Sequence, residues 1–347
     1  MTSTGQSAAP QAKPMSNKVK YTVLGLFPLL LVTLFVGIFT YAMHEPAPRD
    51  LPVAVVGAGA EQSRGAAAEL QKGAGDALDV RTASSVDAAK RLVADGEIAG
   101  AYVLPTAEGG DATLYVAGGG GSSLQQVTTQ VFEGVAEEQH VGLQTEDLVP
   151  LPERDSMGTS SLYVTIGFTL AGFVFVIIAA AAAPELLRLR RLVPAAAGFA
   201  ALIAVSVWLL TGPVIGAFEG HAAQVLGIGW LMTFSVSMVT ALFARYLGPL
   251  AAVPAVLIFM FLGVPSSGGA LAVHVEPPLF QFLHDVLPTP ATLEAVRSVL
   301  YFDGQGVAGH LGVVALWGLA GIVLNLGAEL AGRRKGKPAA RSVALAH

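Results

Sequence analysis

The sequence predicts an α-helical transmembrane bundle of six spans with an inserted extracytoplasmic α/β domain. Three observations predict it. Of 347 residues, 53% are hydrophobic and only 13% charged, and the mean hydropathy is +0.61. Soluble domains carry about 25% charged residues, and a larger soluble core does not remove that much solvated surface. Six apolar stretches reach or approach the roughly 20 residues that a membrane helix needs. Between the first and second of these, residues 44–160 hold 18 acidic and 7 basic residues, in alternating strand-like and helix-like runs.

These numbers exclude a water-soluble enzyme as the whole answer, and also a disordered chain. The net charge of −5 argues against a nucleic-acid binder, which needs a basic face. With no Cys, disulfides, thiol nucleophiles and thiolate metal sites are absent.

Residues 1–20 read as a cytoplasmic tail and 21–42 as the first span. Lys18 and Lys20 precede that span, as they would a signal peptide. The apolar run is longer than a signal h-region, however, and it leaves through Tyr41, Met43, His44 and Glu45, a poor cleavage context. A retained anchor is expected. The other spans are 161–183, 192–214, 222–243, 247–264 and 308–329, the fifth short and punctuated by Pro254 and Pro265. Of the 20 Lys and Arg residues, a six-span arrangement puts 12 on one side: Lys13, Lys18 and Lys20; Arg188, Arg190 and Arg191; Arg245; then Arg333, Arg334, Lys335, Lys337 and Arg341. The opposite loops hold Glu219, and Arg297 against Glu276, Asp285, Glu294 and Asp303. By the positive-inside rule both termini are expected to be cytoplasmic, with 333–347 a basic tail.

In the outer domain, Pro52–Val56 is a short apolar run closed by Gly57 and Gly59. Helix is expected over Glu61–Lys72 and strand over Leu78–Arg81. Ser84 with Asp87 resembles a capping box opening a helix through Val86, Ala89 and Val93 that stops at Gly96. Ile98–Leu104 and Ala112–Val116 read as strands. Gly118 to Gly121 form a turn before a helix whose Leu124, Val127, Val131 and Val135 share a stripe. Leu148–Leu162, with Pro150 and Pro152, is a linker into the five-helix region 161–332. Such alternation implies a small α/β layer domain. Residues 265–307 are too polar to span and too apolar for an ordinary loop. Leu279, Phe282, Leu283, Val286 and Leu287 make one helix face, and Thr289-Pro290 starts a second helix. This segment either dips into the outer leaflet or rests on the bundle as an external hairpin.

Little chemistry is visible. No GxxxxGK[ST] run is present, and the glycines at 118–121 lack the lysine and spacing of a phosphate cradle. No HExxH occurs, so no catalytic, cofactor or metal residue is expected. Ser266 and Ser267, with His274, His284 and His310 in the same region, leave an intramembrane hydrolase only as an idea to test. Gly229, Thr233, Ser237 and Thr240 form a small, hydroxylated stripe, either for helix packing or facing a translocation path. Gly318, Gly321, Asn325 and Gly327 invite the same two readings, and Asn325 needs a partner at depth. Glu329, near Arg333, reads as interfacial and unburied. The basic loop 184–192 is either a topology anchor or a docking point for a cytoplasmic protein.

Two stretches carry a family resemblance. Residues 84–105 (SSVDAAKRLVADGEIAGAYVLP), followed by Leu114-Tyr115-Val116, resemble the outer domain of ABC transporter permeases of the type-2, exporter class. Gly263-Val264-Pro265-Ser266-Ser267-Gly268-Gly269, running on to Leu287-Pro288 and Arg297…Tyr301-Phe302, resembles the end of those proteins and of the related phage-infection-protein group. The resemblance implies a permease half that dimerises and couples to a separate cytoplasmic ATPase through Glu185, Arg188, Arg190 and Arg191. It also implies external re-entrant helices over 265–307, with Ser266, Ser267, Gly268, Gly269 and Arg297. Many relatives place Asn where this chain has Val264, and the first 20 residues show no amphipathic helix. A branch working without an ATPase therefore stays open, as does a non-transporting surface protein whose outer domain binds a phage or cell-envelope partner.

Overall fold

The computed structural model describes residues 17–106, 110–218 and 220–335. Lys13, Glu219, Lys337 and Arg341, with most of the two expected tails, lie outside these residues. The first helix, α1 (Asn17–Met43), belongs up to Tyr41 to a unit of its own, and the chain from Ala42 onward forms the second. Leu29, Leu30, Val32 and Val36 of α1 are all exposed.

The inserted domain is a five-stranded sheet in the order β2-β1-β3-β4-β5. Its strands are β1 (Leu51–Val56), β2 (Leu78–Thr82), β3 (Gly100–Val103), β4 (Ala112–Val116) and β5 (Leu143–Asp147). β1 runs parallel to β2 and β3, β3 antiparallel to β4, and β4 parallel to β5. The first four strands and all three helices, α2 (Ala60–Ala74), α3 (Val86–Ala94) and α4 (Ser122–Glu138), fall within a few residues of the expected ranges. The capping residue differs by one: Ser85, not Ser84, accepts the Ala88 N–H. β5 was not expected. Its Gln144, Thr145 and Glu146 are exposed at the sheet edge, so no apolar alternation announces it.

Alternate side chains of each strand supply two cores. On one face Leu51, Val53, Leu78, Tyr102 and Leu114 pack against Phe132 with Leu70 of α2 and Val131 and Val135 of α4. On the other, Ala54, Val56, Ala101 and Tyr115 meet Ala89 and Val93 of α3, together with Phe302 from far down the chain.

Among the described residues four helices are long and apolar enough to cross a membrane: α5 (Ser160–Ala182), α6 (Leu189–Leu209, prolonged as a π-helix to Val214), α7 (Ala222–Leu247) and α11 (Val307–Lys335). The Asp155 carboxylate accepts the Thr159 and Ser160 N–H groups and so caps α5. α7 is central, packing on α5, α6 and α11. The expected fifth span is shorter than foreseen: α8 (Ala252–Leu262) is a brief helix that turns π from Val256. A 3-10 turn over Gly248–Ala251 precedes it and Pro265 follows. Prolines remove ladder donors and clash with the preceding turn, which explains the interruption.

Two short helices, α9 (Pro278–Val286) and α10 (Pro288–Tyr301), occupy the segment before α11. α10 is almost wholly buried against α5, α7 and α11. The apolar face foreseen for α9 is divided: Leu279, Phe282 and Val286 are exposed, while Leu287 is buried, as is Phe280.

Candidate functional site

Three clusters hold the residues singled out from the sequence. The first joins the α/β domain to the bundle. Arg297 of α10 is 4% exposed, and its guanidinium donates to Glu294 Oε1 at 3.0 Å and, through both Nη atoms, to the Gly268 carbonyl at 3.3 Å. The same guanidinium presses on the glycine turn before α4. Gly121 has φ +108°, and a Cβ there would lie 2.6 Å from Arg297 Nη2, so both its conformation and its surroundings require glycine. Ser123 Oγ accepts the Ala272 N–H at 2.9 Å. Around the other side of the seam, Arg49 donates its backbone N–H to the His274 carbonyl at 2.7 Å and its Nη1 to the Glu276 carbonyl at 3.1 Å.

Within this seam both serine hydroxyls bond nearby backbone carbonyls. Ser266 Oγ donates to Leu262 O at 2.7 Å and Ser267 Oγ to Val264 O at 2.7 Å. Ser267 Oγ also accepts the Gly269 N–H. His284 Nδ1 bonds the Ser266 carbonyl, not its hydroxyl. Among the described residues no histidine is hydrogen-bonded to either hydroxyl. Among the described residues no group of three or more His, Asp or Glu is placed to hold a metal ion.

Glu276 is the unforeseen member. Its side chain is fully buried, and neither carboxylate oxygen has a hydrogen-bond partner among the described residues. Burial pushes its carboxyl up to about 9 from the usual 4.5, because a charge without a counter-ion is costly in a low dielectric. The sequence offered a loop acid between Val275 and Pro277, with no sign of depth.

The second cluster is the hydroxyl stripe of α7, which lies against neighbouring helices. Thr233 Oγ1 donates to Phe168 O at 3.2 Å and Ser237 Oγ to Gly172 O at 3.0 Å, both on α5. Gly229 makes room for the Phe168 ring. Thr240 is buried on the same helix. Asn325 of α11 is fully buried and donates Nδ2 to Met238 O at 2.9 Å and to its own helix at Gly321 O. The Gly321 position itself touches the Met238 backbone, where a Cβ would meet Met238 C at 2.8 Å.

The third cluster lies where α5 ends and α6 begins. Pro184–Leu187 form a 3-10 turn, Arg188 is extended, and α6 starts at Leu189. Glu185, Arg188, Arg190 and Arg191 are all exposed. Glu329 is of intermediate exposure, its side chain 17% exposed, and it pairs with Arg245 at 3.1 Å. Glu329 Oε1 also accepts the Leu189 N–H at 2.7 Å, and Arg245 Nη2 donates to Leu187 O at 3.3 Å. The turn between α5 and α6 is thus tied to the ends of α7 and α11. A cavity of about 530 Å³ opens there, lined by Arg188, Arg190, Arg245 and Glu329.

In the sequence α1, the α/β insertion, α5 and this basic turn follow one another, and that stretch of sequence has a known counterpart. Residues 21–192 match the model of the ABC-2 family transporter protein. No curated protein and no solved structure matches the chain. The ABC-2 match and the four long apolar helices together support a transmembrane protein of the transport permease kind. The ABC-2 model covers the region that carries Ser84–Pro105 and the loop at Arg188, and it stops before the Gly263–Gly269 stretch. The phage-infection grouping has no counterpart in it.

Proposed function

We propose that the chain is the membrane-spanning permease subunit of an ATP-driven exporter, working as a dimer with a separate cytoplasmic ATPase. One observation carries this reading: the ABC-2 match ends on the exposed basic turn at 184–191, which Glu329 and Arg245 fasten to α7 and α11. A push on such a turn reaches three helices at once, as coupling between an ATPase and a transport path demands. In this reading α1 and the 247–264 region complete six spans, and both termini and the basic turn face the cytoplasm. Residues 265–307 form the external segment, with the exposed face of α9 against lipid headgroups. Thr233, Ser237 and the Asn325 amide nitrogen are engaged in helix contacts, which favours a path between two copies with no covalent chemistry in this chain.

The test is co-purification of an ATPase with the tagged full-length protein. Replacing Arg188, Arg190 and Arg191 together with Glu should abolish that association while leaving the protein in the membrane. Retained function in a cell with no partner ATPase would instead favour the surface-receptor reading.

A further inference from the structure

The two faces of the α/β sheet are covered unequally. One carries α3, Leu148, Val149 and Phe302, closing it against the seam. The other carries α2 and α4, and between these two helices lies a groove of about 560 Å³ that no other part of the described chain covers. That volume is within the range of pockets that hold small organic ligands, roughly 300–1,000 Å³.

Two glycines leave the groove unfilled. Gly73 of α2 and Gly134 of α4 both border it, and a Cβ at either position would have nothing within 4 Å. Its floor is apolar, made by Leu78, Leu104, Val131 and Val135. Tyr102 lies at the base, stacked on Phe132 with ring centroids 5.0 Å apart, its hydroxyl donating to Gln139 Oε1 at 2.9 Å. The charged side chains on its rim are both acidic, Glu69 and Glu138, and both are exposed. The rim belongs to a domain with 18 acidic residues against 7 basic ones, whose field concentrates cations near it.

We infer that this groove is a binding site for an amphiphilic organic cation, whose apolar body replaces water over the floor and whose ammonium or iminium group lies between Glu69 and Glu138. Apolar walls alone would admit any greasy molecule; the two carboxylates select the sign of its charge. The site stands on the domain's own geometry and does not depend on the transport reading.

The experiment uses the full chain in lipid nanodiscs and follows fluorescence anisotropy of rhodamine 6G, a lipophilic cation, with fluorescein, an anion, as the counter-probe. Saturable binding of rhodamine 6G and none of fluorescein is expected. The double variant Glu69→Gln/Glu138→Gln should bind about tenfold more weakly and lose most of the salt dependence, since two rim charges each contribute modestly in high dielectric. Gly134→Leu, on an open helix position, fills the groove and should abolish binding; Gly73→Leu does the same from the facing helix and guards against misfolding of one variant. Equal binding of rhodamine 6G to the wild type and both leucine variants, or equal binding of fluorescein, would overturn the assignment. Retention of full affinity by the double glutamine variant would overturn the cation selectivity.

Discussion

Glu329 Oε1 sits 3.1 Å from Arg245 Nη2 and 2.7 Å from the Leu189 N–H, so one carboxylate on α11 holds the end of α7 and the start of α6 together. The pair is largely shielded from water, which makes its loss more costly than that of a surface ion pair. Glu329→Ala should destabilise the protein by about 2 kcal/mol, because it orphans the Leu189 donor and a half-buried guanidinium. Glu329→Gln keeps an acceptor for Leu189 and should cost clearly less. Thermal unfolding of the purified variants checks the order. If the permease reading holds, both variants also weaken ATPase coupling in proportion.

Glu276 provides a pH signature. Its folded-state carboxyl titrates near 9 and its ordinary value is 4.5, so between these pH values folding requires this group to hold a proton that the unfolded chain gives up. The associated cost is absent below about 4.5 and grows as pH rises towards 9. Burial lowers His274 in the same region, which slopes the other way, so the comparison is between variant and wild type. Glu276→Gln should melt at the wild-type temperature near pH 4 and several degrees above it at pH 8. Melting curves across pH 4–9 that stay parallel for the two proteins would refute the assignment.

Close approach, more than polar bonding, should dominate the α7–α11 contact. Gly321→Leu forces a side chain into the Met238 backbone and should cost about 3 kcal/mol or prevent assembly, as overpacking does. Asn325→Ala removes one interhelical bond and should cost only about 1 kcal/mol, the scale of such bonds in membranes. Yield of folded protein and thermal stability of the two variants in matched detergent would show the ranking.

The α/β domain was legible from local signals: Pro52–Val56 in β1 is an apolar run closed by glycines, and Ala89 and Val93 share a face of α3. β5 escaped because an exposed edge strand needs no apolar pattern, only a free ladder on β4. What the apolar face of α9 meets was left open for a related reason. Leu279, Phe282 and Val286 do form one face, but periodicity says which residues share a face and not what that face meets. The residues of the seam were partly legible: Gly268 and Arg297 were grouped in one external segment through the family resemblance, and Glu276 was noted only as a loop charge.

Composition and pattern alone determined that long apolar helices flank an acidic α/β insertion, and where nearly every element of that insertion begins and ends, since these depend on local spacing of apolar side chains and turn formers. Only the tertiary structure decided that Glu329 grips Arg245 and Leu189, that Arg297 lies against the Gly121 turn, that Glu276 is buried without a counter-ion, and that a groove remains between α2 and α4. Those contacts join residues tens to more than a hundred positions apart, and burial, pairing and empty space are properties of packed neighbours that no local period encodes.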